Sequence, residues 1–101
     1  MGSTVHDGLL TERSWMALVV QLAQLRGWRC FHTHDSRRSA AGFPDLVLVR
    51  ADRLLVAELK TAHARTTIAQ DRWLAALGDV PCVEVHVWRP SDFEEVRDAL
   101  A

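Results

Sequence analysis

The stretch GFPDLVLVRADRLLVAELK, residues 42–60, contains two short apolar runs. Residues 45–50 (DLVLVR) form the first and residues 53–61 (RLLVAELKT) the second, with Ala51-Asp52 between them. Both runs are rich in Leu and Val, and a two-residue connection has the length of a tight turn, so the pair predicts a β-hairpin. Successive side chains of a strand point to opposite faces, so Glu58 and Lys60, two apart, share a face. The hairpin brings Asp45 beside Glu58. Two carboxylates and an ammonium then meet at the edge of an apolar sheet, where each is costly to bury alone. Adjacent carboxylates repel unless a divalent cation lies between them, and hard oxygen ligands favour Mg²⁺ or Mn²⁺. A lysine beside them can orient or deprotonate a water, or neutralise charge on a phosphate. A bare E-x-K is equally the spacing of a surface ion pair on an edge strand. The preceding Gly-Phe-Pro-Asp and the paired apolar runs set this instance apart.

Upstream, Thr11 is placed to cap a helix with Glu12 in its first turn. Trp15, Leu18, Val19, Leu22 and Leu25 follow at helical spacing, and Gly27 stops the run. Residues 28–33 (WRCFHT) predict a strand, and the polar, small-residue stretch 34–44 a loop. Downstream, Thr66 or Thr67 caps a second helix that ends near Gly78. Pro81 opens a strand, CVEVHVW, with Val83, Val85 and Val87 on one face and Glu84, His86 and Trp88 on the other. Trp88, opposite the valines, is expected to be exposed. Pro90 ends that strand and Ser91 caps a short acidic helix. The order α-β-β-β-α-β-α predicts an α/β fold, one sheet of about four strands with helices packed on it.

Both long helices carry a polar residue on the apolar stripe. Glu12 lies three residues before Trp15 and seven before Val19, which turns it toward the sheet; a first-turn acid offsetting the helix dipole is the alternative. Gln70 heads the stripe Gln70, Trp73, Leu74, Leu77 and either reaches the hairpin site or sits at the boundary with solvent. The loop before Asp45 holds His32, His34, Asp35, Ser36, Arg37, Arg38 and Ser39. Paired arginines and hydroxyls suit phosphate contacts, or simply a solvated loop. His32 and His34 lack further ligands at zinc spacing.

The 101 residues include 12 basic, 13 acidic and five histidine side chains, 49% apolar and 25% charged overall. These values exclude a disordered or collagen-like chain and suit one domain, residues 11–101, after a flexible arm or cloning remnant at 1–10. A domain this small buries only about 60–65% of its unfolded surface, so a partner subunit would help it. No apolar run approaches the ~18 residues of a membrane span, and no signal peptide is visible, so a cytoplasmic location is expected. Cys30 and Cys82, unpaired by motif, suit reduced thiols. Residues 26–53 carry six Arg against three Asp, and residues 79–101 six acids against two Arg, so nucleic acid is expected on one face only. Eleven of the basic residues are Arg; the one Lys is Lys60, where a compact ammonium differs chemically from a guanidinium.

In order and spacing these motifs resemble the PD-(D/E)xK nuclease superfamily, and more closely its small VRR-NUC (virus-type replication–repair nuclease) domains. The matching features are Thr11-Glu12, Gly27-Trp28, HTHDSRRSAAGFPDLVLVR at 32–50, AELK at 57–60, Gln70 with Trp73-Leu74, and VHVWRPSDF at 85–93. The resemblance covers roughly residues 11–95. It implies a restriction-endonuclease-like αβββαβ core, followed here by a short C-terminal helix, and Mg²⁺- or Mn²⁺-dependent phosphodiester hydrolysis. It implies metal ligation by Asp45, Glu58 and the Leu59 carbonyl, with Glu12 on a second ion or its water. Lys60 stabilises the attacking hydroxide or the phosphate, and Gln70 orients Lys60 or the water. His34, Ser36, Arg37, Arg38 and Ser39 fall to DNA binding. Stand-alone relatives resemble Holliday-junction resolvases, which implies a homodimeric, structure-selective endonuclease of phage or cellular DNA repair acting on a four-way junction or flap. Trp88 and the last helix are the expected pairing surface. The competing class is a non-catalytic DNA-binding module of the same fold; the complete acid–lysine set argues against it, because binding alone does not require paired carboxylates beside a polyanion.

Overall fold

The computed structural model describes residues 10–33 and 40–101. Thr11 caps the first helix, α1 (Glu12–Leu25), its side chain accepting from the Ser14 N–H at 3.0 Å. Trp15, Val19 and Ala23 are the residues α1 buries, while Leu18 and Leu22 are partly buried. Leu25, expected on the stripe, is 79% exposed. A line of every fourth residue drifts around a helix of 3.6 residues per turn, and by Ala23 it has left Leu25 nearly opposite. Leu10, placed by sequence in the N-terminal arm, packs against this core.

Four strands follow: β1 (Arg29–His32), β2 (Leu46–Arg50), β3 (Arg53–Leu59) and β4 (Val83–Trp88). They lie in that order in one sheet; β1–β2 and β2–β3 pair antiparallel, and β3–β4 parallel. A parallel pair needs a crossover, supplied by α2 (Ile68–Gly78). The β2–β3 hairpin turns at Ala51-Asp52, with Ala51 in the left-handed region at φ 53°. After β4, a 3₁₀ turn at Pro90–Asp92 leads into α3 (Phe93–Ala99). Asp92 closes this entry, its carboxylate accepting from the Arg89 N–H at 2.9 Å, in place of the expected Ser91 cap.

Alternation gives the sheet two apolar faces. Leu46, Leu48, Leu55, Ala57, Leu59 and Trp88 join Trp15, Val19, Ala23, Trp28, Val96 and Leu100 in the core beneath α1 and α3. The other face carries Val47, Val49, Leu54, Val56, Val83, Val85 and Val87 by the strand registers. At its β4 side it is covered by α2, which contributes no fully buried residue. Trp88 is therefore fully buried, not exposed, and is withdrawn as a pairing surface. Alternation shows which residues share a face; the helices decide which face is covered more deeply. The Trp88 carbonyl accepts from Trp15 Nε1 at 3.0 Å, and its ring stacks on His86.

Arg50 and Arg53 place their guanidinium carbons over the Trp28 ring, 4.6 and 4.9 Å from its centroid. Arg50 donates to the Arg26 and Ala101 carbonyls, Arg53 to that of Ala99, and Trp28 Nε1 to that of Leu100. Arg53 also grips Glu84 through two hydrogen bonds of 2.8 and 2.7 Å. Two arginines of the basic stretch 26–53 thus anchor the C-terminal segment. Among the described residues no helix is long and apolar enough to cross a membrane. Cys30 is half-buried and Cys82 exposed, both free.

Candidate carboxylate–lysine site

The hairpin register pairs Leu46 with Ala57, and one step further sets Asp45 opposite Glu58. Asp45 ties three strands together. Its carboxylate accepts from the Leu59 N–H at 2.9 Å, and its carbonyl accepts from the Thr33 N–H at 3.0 Å. Glu58 is 2% exposed. Its Oε2 accepts from Gln70 Nε2 at 2.9 Å and lies 3.5 Å from Lys60 Nζ. Among the described residues its Oε1 is buried with no hydrogen-bond partner. Burial pushes the Glu58 carboxyl up to about 7, the negative charge of Asp45 adds to the rise, and Lys60 offsets it only in part. Lys60 is itself buried, its backbone N–H donating to the Trp88 carbonyl at 3.0 Å.

Gln70 reaches Glu58 because of how α2 begins. The Gln70 Oε1 accepts from the Thr67 N–H at 2.8 Å, and the Thr67 hydroxyl accepts from the Gln70 N–H at 3.1 Å, a capping box. With the amide oxygen engaged in the cap, Nε2 is the atom left for Glu58. Gly42, at φ 87°, lets the loop before Asp45 touch this first turn: a Cβ there would stand 2.6 Å from the Ala69 carbonyl oxygen and 2.7 Å from the Gln70 nitrogen. Phe43 packs edge-on against Trp73 of α2, and Pro44 is buried. Each residue of Gly-Phe-Pro-Asp thus contributes to holding Asp45 and Gln70 in place.

An open cleft of about 380 Å³ adjoins Asp45, lined by Glu12, Arg13, Met16, His32, Thr33, Asp45 and Leu59. Glu12 is exposed and lines this cleft with Asp45 and with Leu59 at the end of β3. The five residues expected to act together are therefore arranged in two tiers. Glu58, Lys60 and Gln70 form a buried tier, Glu12 sits in the cleft, and Asp45 touches both. No three His, Cys, Asp or Glu side chains converge on one point among the described residues. Leu59, expected to offer its carbonyl, lines the cleft and gives its N–H to Asp45. His34, Ser36, Arg37, Arg38 and Ser39 lie outside the described residues.

Sequence reasoning passed over Arg89. Its guanidinium donates to the Thr61 and Ala64 carbonyls at 2.8 and 2.6 Å and fixes the chain leaving Lys60. β3 and β4 run parallel, with Leu59 beside Trp88, so the residue after Trp88 emerges beside Lys60, a pairing that the sequence alone did not supply. A buried carboxylate oxygen without a partner, next to a second carboxylate, is a set of hard oxygen donors that fits Mg²⁺ or Mn²⁺. Compared with family models, with curated proteins and with solved structures, the chain matches none.

Proposed function

We propose that this chain is a divalent-metal-dependent, structure-selective DNA endonuclease, built on a restriction-endonuclease-like core. The observation that carries the reading is the buried Glu58, with one oxygen unpartnered, Asp45 against it and Lys60 alongside. A purely structural Glu–Lys pair leaves that orphan oxygen and the second carboxylate unexplained, since both raise the free energy of burial. Asp45 and Glu58 would hold Mg²⁺ or Mn²⁺, with Glu12 reaching a second ion from the cleft. Such an ion lowers the pKa of a water and neutralises charge developing on a phosphate. Gln70 holds Glu58 Oε2 in a fixed orientation, and Lys60 brings a positive charge to the same oxygen and to a phosphate entering beside it. Arg89, bonded to the Thr61 carbonyl, fixes the chain that follows Lys60.

The partner we propose is branched DNA, four-way or flap, bound by a homodimer. With Arg50 and Arg53 occupied by the C-terminal segment, one protomer offers few cations, and a two-fold pair doubles the footprint. Arg37, Arg38 and the neighbouring His34, Ser36 and Ser39 are the proposed phosphate contacts. Two free thiols suit the cytoplasm of a bacterial or phage-infected cell. The test is incubation with single-strand, duplex, flap and four-way-junction DNA in Mg²⁺, Mn²⁺ or EDTA. Cleavage of branched DNA that EDTA abolishes supports the reading. Tight binding with no cleavage in either metal assigns the chain to the DNA-binding modules instead.

A further inference from the structure

On the sheet face shared by Asp45 and Glu58, α2 packs over β4 at one edge, and among the described residues no helix packs over β1 at the other. Burial along β1 alternates, leaving Arg29 and Phe31 exposed on one face with Cys30 and His32 on the other. Phe31 is 63% exposed and stands opposite Val47; Arg29 stands opposite Val49, itself 41% exposed. The Arg29 side chain makes no hydrogen bond or ion pair among the described residues. Asp45 precedes Val47 by two, so it is the diagonal neighbour of Phe31 on this face, about 7–8 Å away between backbones. Arg29, Phe31 and the Asp45–Glu58 pair occupy three successive rows, spaced about 6.8 Å along the strands.

A single exposed phenylalanine is unremarkable. An exposed ring on this face, with the exposed Arg29 guanidinium one row to one side and the partly exposed Asp45 one row to the other, matches the needs of a nucleic-acid strand. The ring takes a base face and the guanidinium a phosphate. In a duplex each base face is covered by its neighbours, so only an unpaired base can lie on Phe31. We propose that Phe31 stacks an unpaired base adjoining the scissile phosphate while Arg29 binds the flanking phosphate. This surface then makes the site select DNA that is unpaired where it is cut. The inference rests on the endonuclease reading and extends it to the structural feature being recognised. Arg29 makes the patch complementary to a polyanion, which favours a nucleic-acid strand over a second copy of the chain as its occupant.

The experiment follows 2-aminopurine fluorescence in the unpaired arm of a flap oligonucleotide, titrated with the full chain in EDTA. Wild type is expected to quench the probe. Phe31→Ala should lose the quench and bind the flap and a free single strand roughly 10- to 100-fold more weakly. Phe31→Trp should restore both, and all three proteins should bind fully paired duplex alike. Equal quench and affinity for wild type and Phe31→Ala overturn the proposal. So does a shift from dimer to monomer on Phe31→Ala with nucleic-acid affinity unchanged, which gives the patch to a second copy. A protein that quenches in EDTA but never cuts in Mg²⁺ or Mn²⁺ overturns the endonuclease reading alone. One that cuts without any Phe31-dependent quench overturns the stacking proposal alone.

Discussion

Glu58 is held at a cost to folding, and that cost depends on pH. Its carboxyl sits at about 7 in the folded chain against an ordinary 4.5, so between those values the folded protein binds more protons than the unfolded one. The associated stability is fully present below pH 4.5 and is lost as pH rises through 7. Glutamine mimics the protonated acid. Glu58→Gln should therefore stabilise the fold in EDTA at pH 8 by on the order of 3 kcal/mol, read as a higher melting temperature, and the gain should vanish by pH 4.5. A variant no more stable than wild type at pH 8 would mean that the burial cost is met elsewhere. Bound Mg²⁺ or Mn²⁺ removes the same repulsion, so either ion should stabilise wild type more at pH 8 than at pH 6 and leave Asp45→Asn nearly unmoved in thermal melts. Ala51 presents a simpler case. It occupies a left-handed conformation at φ 53° that glycine tolerates without strain, so Ala51→Gly should stabilise the hairpin by about 0.5–1 kcal/mol in urea denaturation. The Asp45–Glu58 juxtaposition was legible from the sequence because a two-residue turn fixes hairpin register. The exposure of Glu12 was not, because helical spacing gives a stripe its direction but not its edges.

The start of α2 links local helix chemistry to the site. Thr67 and Gln70 close the cap, and the same Gln70 amide holds Glu58. Thr67→Ala should cost about 1 kcal/mol as a lost cap. Gly42→Ala should cost more, on the order of 2–3 kcal/mol, because a Cβ meets the α2 backbone rather than a side chain that can move, and the left-handed conformation adds strain. Chemical denaturation of the pair ranks the two, and a Gly42→Ala chain as stable as Thr67→Ala would show that the loop yields easily. Helix limits were readable, and the α2 cap was narrowed to Thr66 or Thr67, because they depend on neighbours in sequence. The approach of Gly42 to Ala69 and Gln70 was not, because it depends on tertiary packing. Trp88 failed for a related reason. Strict alternation in β4 identified its face correctly, but the depth of burial is set by α1 and α3, which lie far away in sequence.

For the whole molecule, the basic stretch 26–53 divides by role. Arg50 and Arg53 anchor the C-terminal segment, Arg26 donates to the Arg97 carbonyl, and Arg29 stays open on the sheet face. A charge sum along the sequence does not separate arginines that satisfy carbonyls from arginines that meet solvent. The order of elements and the mixed α/β class were legible, since each apolar period and breaker is local. The two-tier arrangement was not, because it arises where α1 overhangs one sheet face and α2 the other. Phosphate binding by Arg37 and Arg38 has a direct signature. Replacing both with Ala should lower the dependence of DNA affinity on salt by roughly two phosphate contacts, with equal loss across sequences. An unchanged slope would assign them to a solvated loop. The most direct test of the proposed chemistry is the single-turnover cleavage rate of a flap or four-way junction in Mn²⁺, wild type beside Asp45→Asn, with folding of both checked by thermal melts. The predicted result is metal-dependent cleavage by wild type and a loss of several orders of magnitude in a folded Asp45→Asn chain. An Asp45→Asn chain that cuts as fast as wild type, or a wild type equally active in EDTA, would contradict it.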